Sequence, residues 1–278
     1  MGKTDLTDFL IIDHHDGTPG AGKCEWTSHV MRSPTQLDKA ACAWIIAQEI
    51  MAERLGLATQ LYDEWRRCAL TNTRSTAYHA IFQAVSKPVF GTRSSPGTQD
   101  HLLGHIGEWM WHIITGKYPS VVQQNPPKPS VTDAGGDGYT IYKDANGELK
   151  FRLWESKKET GSNQNGPTNS ARAGWRQLES KGLEYVAKIA SSHSPGTYGD
   201  KVDQLMSDLL IEWNINGPRT GVGVTVATHH PIKPTIFDGM ASDFPLRTEP
   251  GQLRGFAVSV DTFIEVAEQI REYVWSGS

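Results

Sequence analysis

Apolar residues recur at helical spacing along the first third of the chain. Leu37 and Trp44 belong to an apolar stripe that runs to about Gly56, with Ser33 as its N-cap and Gln36 completing a capping box, which predicts a helix. Similar patterns predict two further helices and one short strand, at residues 61–70, 75–85 and 9–12.

A loop at residues 87–97, which holds two prolines and two serines, predicts a boundary between two regions. Residues 1–97 are expected to form a mainly helical N-terminal region, and residues 98–278 a second domain. The second domain alternates between helical and β-type patterns, at 101–115 (helix), 120–123, 137–142 and 149–155 (strands), 170–191 and 202–213 (helices), 221–228 and 256–260 (strands) and 262–273 (helix). This order predicts an α/β or α+β fold, with a mixed β-sheet flanked by helices.

Composition changes this picture little. The chain has 278 residues, of which 38% are hydrophobic and 21% charged, and these values are ordinary for a globular protein. Its sequence has neither a signal-like N-terminus nor an apolar run long enough to cross a bilayer, so we expect a cytoplasmic protein without membrane association. Cys24, Cys42 and Cys68 form no C-x-x-C pair and are expected to be reduced thiols.

Charge is distributed unevenly. The net charge of −4 excludes binding of a phosphate backbone by bulk positive charge, so any nucleic-acid binding must be local or shared with a partner. Residues 149–190 carry eight basic residues against four acidic ones. Candidate phosphate contacts in this segment are Lys158, Arg172 and Arg176.

The predicted hairpin carries the strongest chemical pattern. Asp137 opens one strand, and Glu155-Ser156-Lys157 closes the next. Since residues i and i+2 of a strand share a face, Glu155 and Lys157 should lie side by side with Asp137 within reach. Two carboxylates and the Ser156 carbonyl offer hard oxygen ligands for Mg²⁺, and the ammonium suits orientation of a water molecule.

This arrangement resembles the PD-(D/E)xK nuclease superfamily, whose core runs helix, three strands, helix, strand. Members often add a glutamate from the first core helix, and the run Leu103-Gly104-His105-Ile106-Gly107-Glu108 places Glu108 there. The sequence motifs L-G-x-x-G-E, G-G-D-G and W-E-S-K are most similar to those of the HamA family of nuclease subunits in Hachiman-type antiphage defence. The resemblance covers about half of the chain.

The resemblance implies a restriction-endonuclease-like core and a Mg²⁺-dependent DNA phosphodiesterase, with Mn²⁺ as an alternative metal. Asp137 and Glu155 would bind metal, with Ser156 as a further ligand, and Glu108 would support a second metal or position its waters. Lys157 would assist the attacking water. A helicase subunit is the implied partner.

Two positions depart from the family pattern, and one stays open. Gly136 occupies the position of the proline in the superfamily's name. Gln177 does not belong to a Gln-x-x-x-Tyr signature, so the resemblance gives Gln177 no role. Asp133 competes with Asp137 for the acidic position. Asp137 is preferred because it enters the strand directly.

Other functions remain open. The chain could be a free-standing, homodimeric restriction-type endonuclease, or a catalytically silent DNA-binding subunit of an assembly. One face of the predicted helix at 101–115 could instead hold a transition metal, because it carries His101, His105, Glu108 and His112. Further donors could come from His14-His15 or His229-His230. The run 17–23 fits G-x-x-x-x-G-K, but Cys24 follows it and no helix begins there, so a glycine loop is the preferred interpretation.

Overall fold

The computed structural model describes residues 4–15, 24–128 and 137–278. Strands in these ranges are β1 (Ile11–His15), β2 (Glu25–Met31), β3 (Gly91–Thr92), β4 (Ser95–Pro96), β5 (Val121–Gln124), β6 (Gly138–Lys143), β7 (Leu149–Glu159), β8 (Thr220–Thr228) and β9 (Leu253–Val260). Helices are α1 (Gln36–Leu55), α2 (Thr59–Thr71), α3 (His79–Phe90), α4 (Gln99–Gly116), α5 (Gly166–Ser192), α6 (Asp200–Asn214), α7 (Met240–Asp243) and α8 (Phe263–Val274), with a 3₁₀ turn at Leu6–Phe9.

One mixed sheet of seven strands organises the fold, in the order β1-β2-β9-β8-β7-β6-β5. Strands β5, β6 and β7 form an antiparallel meander, whereas β7, β8, β9 and β2 run parallel. Gly147 adopts a φ of +79° in the turn between β6 and β7, which is the conformation that the Asn-Gly signal predicts. The predicted mixed α/β class is therefore confirmed.

The N-terminal region shares this sheet. Strand β2 pairs in parallel with β9, and β1 covers its outer edge, so residues 1–97 and 98–278 jointly build the sheet. Strand β2 was not predicted because three of its buried positions are polar, namely Thr27, Ser28 and His29. Buried polar side chains conceal the apolar pattern on which strand prediction depends.

The start of α1 also differs from the prediction. Ser33 has a φ of +46° and does not cap the helix. Thr35 is the N-cap: its hydroxyl accepts from the Asp38 amide at 3.1 Å, and the Asp38 carboxylate accepts from the Thr35 amide at 3.2 Å. The capping box exists, two residues later than its sequence signal suggested.

Helices cover both faces of the sheet. Helices α1, α4 and α8 build one apolar core, and α5 and α6 build the other. Alternation along β7 sends Trp154 into the α4 core and Leu153 into the α5 core. Helix α4 therefore covers one face of the central strands, and α5 covers the other. Within the described ranges, no helix is long and apolar enough to span a membrane.

Buried His29 should make the fold sensitive to acid. Burial lowers its pKa to about 4, partly opposed by a hydrogen bond with the Ala257 backbone. Between pH 6.5 and pH 4, His29 therefore binds a proton in the unfolded chain and stays neutral in the folded chain. This difference should lower the free energy of unfolding by about 2 kcal/mol from pH 7 to pH 5. Urea denaturation at the two pH values measures the loss, and H29Q should lose less stability over that interval. An equal loss in H29Q would show that other groups carry the effect.

Candidate active site at the end of the central hairpin

Two acidic side chains meet across the paired strands β6 and β7. Gly138 lies opposite Trp154 in the ladder, which brings the preceding Asp137 beside Glu155. The Ser156 amide donates to Asp137 Oδ2 at 2.6 Å. Burial raises the pKa of both carboxyl groups, that of Glu155 to about 8, and the charge of Asp137 contributes to the shift of Glu155. Two buried acids held in contact favour ligands that carry positive charge.

Lys157 supplies a cation beside this pair. Its Nζ donates to Glu155 Oε1 at 2.7 Å and to Gln177 Oε1 of α5 at 2.9 Å. The Gln177 amide nitrogen donates in turn to the Tyr185 hydroxyl at 3.2 Å. Gln177 therefore fixes the ammonium, a contact that the sequence did not reveal because the two residues are 20 positions apart.

Helix α5 approaches β7 closely enough for this contact because it carries Gly174. A Cβ there would lie 2.9 Å from Val224 Cγ1 and 3.3 Å from Lys157 Cγ. The stem of the lysine thus runs along a surface that only glycine leaves open.

Glu108 reaches the same place from α4. Burial raises its pKa well above the usual value, and the charges of Asp137 and Glu155 raise it further, against the charges of Lys128 and Lys157. Lys128 is a second cation of the site that sequence analysis missed, since a lone lysine after two prolines carries no recognisable signal.

Gly107 allows α4 to lie on the sheet. A Cβ at this position would come within 2.7 Å of Ala227 Cβ in β8, whereas a Cβ at Gly104 would meet only Lys158 Cγ at 4.0 Å. The two glycines of L-G-x-x-G-E therefore have different tasks, and the second sets the distance between Glu108 and the strands.

This difference predicts opposite effects for two alanine substitutions. G107A should push α4 from β8 and destabilise the fold by roughly 1–3 kcal/mol. G104A should leave stability unchanged or raise it by up to about 1 kcal/mol, because alanine favours a helix more than glycine does. Thermal and urea unfolding of both variants measure these effects. A227G combined with G107A should restore stability; no recovery would mean that the clash is not with Ala227.

The candidate phosphate contacts lie in different environments. Lys158 forms an ion pair with Asp100 at the start of α4, so its charge already has a partner. Arg172 and Arg176 are exposed on α5, and Arg176 Nε lies 4.0 Å from Asp243 Oδ2. The two arginines thus remain accessible on the same helix that contacts Lys157.

The histidines of α4 do not form a separate metal site. His105 is buried, accepts from Trp109 Nε1 at 2.9 Å and has a pKa far below the usual value because of burial. His112 is also largely enclosed, and burial lowers its pKa to about 4, whereas His101 is exposed. Across residues 4–15, 24–128 and 137–278, no group of three or more His, Cys, Asp or Glu side chains is arranged to hold a metal ion.

The carboxylate pair nevertheless fits Mg²⁺ in its chemistry. Among the described residues, no N–H or hydroxyl group donates to Glu155 Oε2, and the neighbouring group is the Asp137 carboxyl; Glu155 as a whole is 2% exposed. A buried carboxylate oxygen without a partner is costly unless a cation or donor compensates it. Mg²⁺ commonly takes one or two carboxylates and completes its shell with water and substrate phosphate, so Asp137 and Glu155 suffice.

Two expectations lie outside the described residues. Asp133 and Gly136 fall in the range 129–136, and the glycine-rich run 17–23 falls in the range 16–23. Of the two candidate acids, Asp137 is the one whose contacts are described, and they place it beside Glu155.

Comparison with protein-family models, with curated proteins and with solved structures finds no match to this chain.

Proposed function

We propose that this chain is a Mg²⁺-dependent phosphodiesterase that cuts DNA. The observation that carries the proposal is the buried pair of carboxyl groups of Glu155 and Asp137, which lies beside the Lys157 ammonium. An acidic pair with an adjacent cation serves two needs of phosphodiester hydrolysis, namely binding of a divalent metal and neutralisation of phosphate charge.

Each residue has a task that follows from its contacts. Asp137 and Glu155 would hold the metal, which when bound supplies a water of lowered pKa and stabilises negative charge on the phosphate. Lys157 is fixed by Glu155 and Gln177 at the place where it can orient the attacking water. Glu108, whose pKa is raised, can accept a hydrogen bond from water or hold a proton.

The order of elements supports the same conclusion. Helix α4, strands β5 to β7, helix α5 and strand β8 follow one another as in the PD-(D/E)xK core that the motifs resemble, with helix α6 inserted before β8. The acidic pair lies at the start of β6 and in β7, and the glutamate lies on α4. This order of elements and the placement of the three acidic residues support the proposal.

Cleavage of plasmid and linear DNA tests the proposal. Purified chain should cut in Mg²⁺ or Mn²⁺ and not in EDTA, and E155A/K157A should not cut. A matched control lies at the other end of β7, where Glu148 and Lys150 form a second Glu-x-Lys triplet with the glutamate side chain 66% exposed. E148A/K150A should cut as well as the wild type. Equal cutting by both double variants would place the chemistry elsewhere.

A helicase partner is the second part of the proposal. It rests on the HamA-like motifs and on the net charge of −4, which does not favour tight DNA binding by the chain alone. If the folded chain cuts no DNA by itself, the assay is repeated with a co-encoded helicase. Cutting that appears only then would identify a nuclease restrained until its partner releases it. Absence of cutting in both assays would leave a DNA-binding subunit.

A further inference from the structure

A cavity of about 250 Å³ opens on the α4 face of the sheet. Arg152, Tyr142 and Thr140 line it from β6 and β7, and Arg254 and Tyr118 line it from other elements. Arg152 precedes Glu155 by three residues, so it faces the opposite side of β7 and lies roughly 10 Å along the strand from it. The cavity is therefore separate from the candidate active site.

Arg152 is a buried cation whose hydrogen bonds go to neutral groups. It is 9% exposed, and its Nη2 donates to the Tyr142 hydroxyl at 2.8 Å and to the Gly251 carbonyl at 2.5 Å. Among the described residues, its Nε is buried without a partner, and no carboxylate lies within ion-pair distance. A guanidinium remains charged in proteins, and a buried charge without compensation is costly. An anion bound in the cavity would compensate this charge.

The other charges of the cavity do not provide that anion. Glu25 is committed to Arg254, with Oε2 and Nη1 2.5 Å apart. The four charged residues of the lining are Arg152, Arg254, Lys143 and Glu25, and together they leave two positive charges in the cavity. A ligand with negative charge would therefore be attracted.

The remaining lining indicates what accompanies the anion. Tyr142 lies under the Arg152 guanidinium at 4.4 Å and Trp154 lies at 5.5 Å from it, which fixes the orientation of the planar group. The Thr140 hydroxyl, which accepts from Trp154 Nε1 at 3.0 Å, can donate into the cavity, the Tyr118 hydroxyl contacts His29 Nε2 at 3.3 Å, and Phe256 adds an apolar wall. Several donors around one guanidinium suit the oxygens of a phosphate, and the aromatic walls suit an attached ring.

We propose that this cavity binds a phosphate monoester attached to a nucleoside, either as a free mononucleotide or as the terminal phosphate of a DNA strand. The proposal does not depend on the nuclease function, because the cavity and the acidic site lie on opposite faces of β7. Ligand binding can therefore be measured in EDTA, which removes the metal ion that cleavage requires.

Thermal unfolding of the full chain in EDTA tests the proposal. The ligands are thymidine monophosphate, thymidine, inorganic phosphate, and a short oligonucleotide with or without a 5′-phosphate. The monophosphate should raise the melting temperature and thymidine should not, since only the former supplies the anion. A rise with the 5′-phosphorylated oligonucleotide alone would support the proposal and assign the phosphate to a DNA end.

Two arginine variants make the result specific. R152Q should weaken phosphate binding at least about tenfold, because a charge-assisted hydrogen bond is lost. Arg247 provides a matched control: it is 5% exposed, stacks on Trp213 at 4.4 Å and has an equally unpartnered Nε, but it does not line this cavity. R247Q should lose stability and keep the ligand-induced shift.

A second variant covers the case in which R152Q does not fold. R254Q removes the half-buried partner of Glu25 and leaves that carboxylate in the cavity, so phosphate binding should also weaken by at least about tenfold. Wild-type affinity in either folded variant would overturn the proposal. So would the absence of a shift with every phosphate-bearing ligand.

Discussion

Replacing Glu155 with glutamine is expected to abolish DNA cleavage and to stabilise the fold at the same time. Cleavage in Mg²⁺ should fall on the order of 10³-fold, because the amide is a poor metal ligand and cannot hold the charge that a divalent cation requires. The free energy of unfolding in EDTA should rise by roughly 1–3 kcal/mol, because a buried carboxylate with a raised pKa is replaced by a neutral isostere.

The sign of the stability effect follows from protonation. The folded chain holds a proton on Glu155 up to a pKa of about 8, whereas the unfolded chain releases it near its ordinary value. This group therefore favours the folded state at low pH and loses that contribution as pH rises through this interval, and glutamine avoids the loss. The gain of E155Q over wild type should accordingly be larger at pH 8 than at pH 5.

The matched control for this variant is E148Q. Glu148 belongs to the other Glu-x-Lys triplet of β7 and its side chain is exposed, so its replacement should alter neither cleavage nor stability by much. Retained cleavage by E155Q would remove Glu155 from the metal site. Reduced stability of E155Q would mean that its ion pair with Lys157 outweighs its burial.

Short-range periodicity was sufficient to predict that Glu155 and Lys157 lie side by side. The Asn-Gly turn fixes the register of β6 and β7, and alternation along β7 brings Glu155 and Lys157 to one face, as their 2.7 Å contact shows. These relations depend on residues close in the chain or paired through one hairpin. They need no knowledge of how the helices pack.

Long-range packing was not predictable in the same way. The contact of Lys157 with Gln177 depends on the rotation of α5 about its axis and on the space left by Gly174. Strand β2 was missed because buried Thr27, Ser28 and His29 do not form an apolar pattern. In each case the decisive partner lies far away in sequence, and a single chain carries no signal of that pairing.

Removal of Lys157 should damage the same site with the opposite effect on stability. In K157M, cleavage should fall on the order of 10²-fold or more, because the group that orients water and neutralises phosphate charge is lost. The free energy of unfolding should fall by roughly 1–3 kcal/mol, because buried Glu155 and the Gln177 carbonyl each lose a charged donor. Initial rates of plasmid cleavage and urea unfolding in EDTA measure the two effects.

The double variant E155Q/K157M shows whether the two groups act as a unit. Its stability should exceed that of K157M, since the carboxylate that lacks a cation is gone, and its cleavage should be no lower than that of E155Q alone. K150M, from the control triplet, should cleave as the wild type does although it loses ion pairs with Asp144 and Glu148. If K157M were as stable as the wild type, the ammonium would not compensate the acidic pair. The charge balance proposed for the site would then have to come from Lys128 instead.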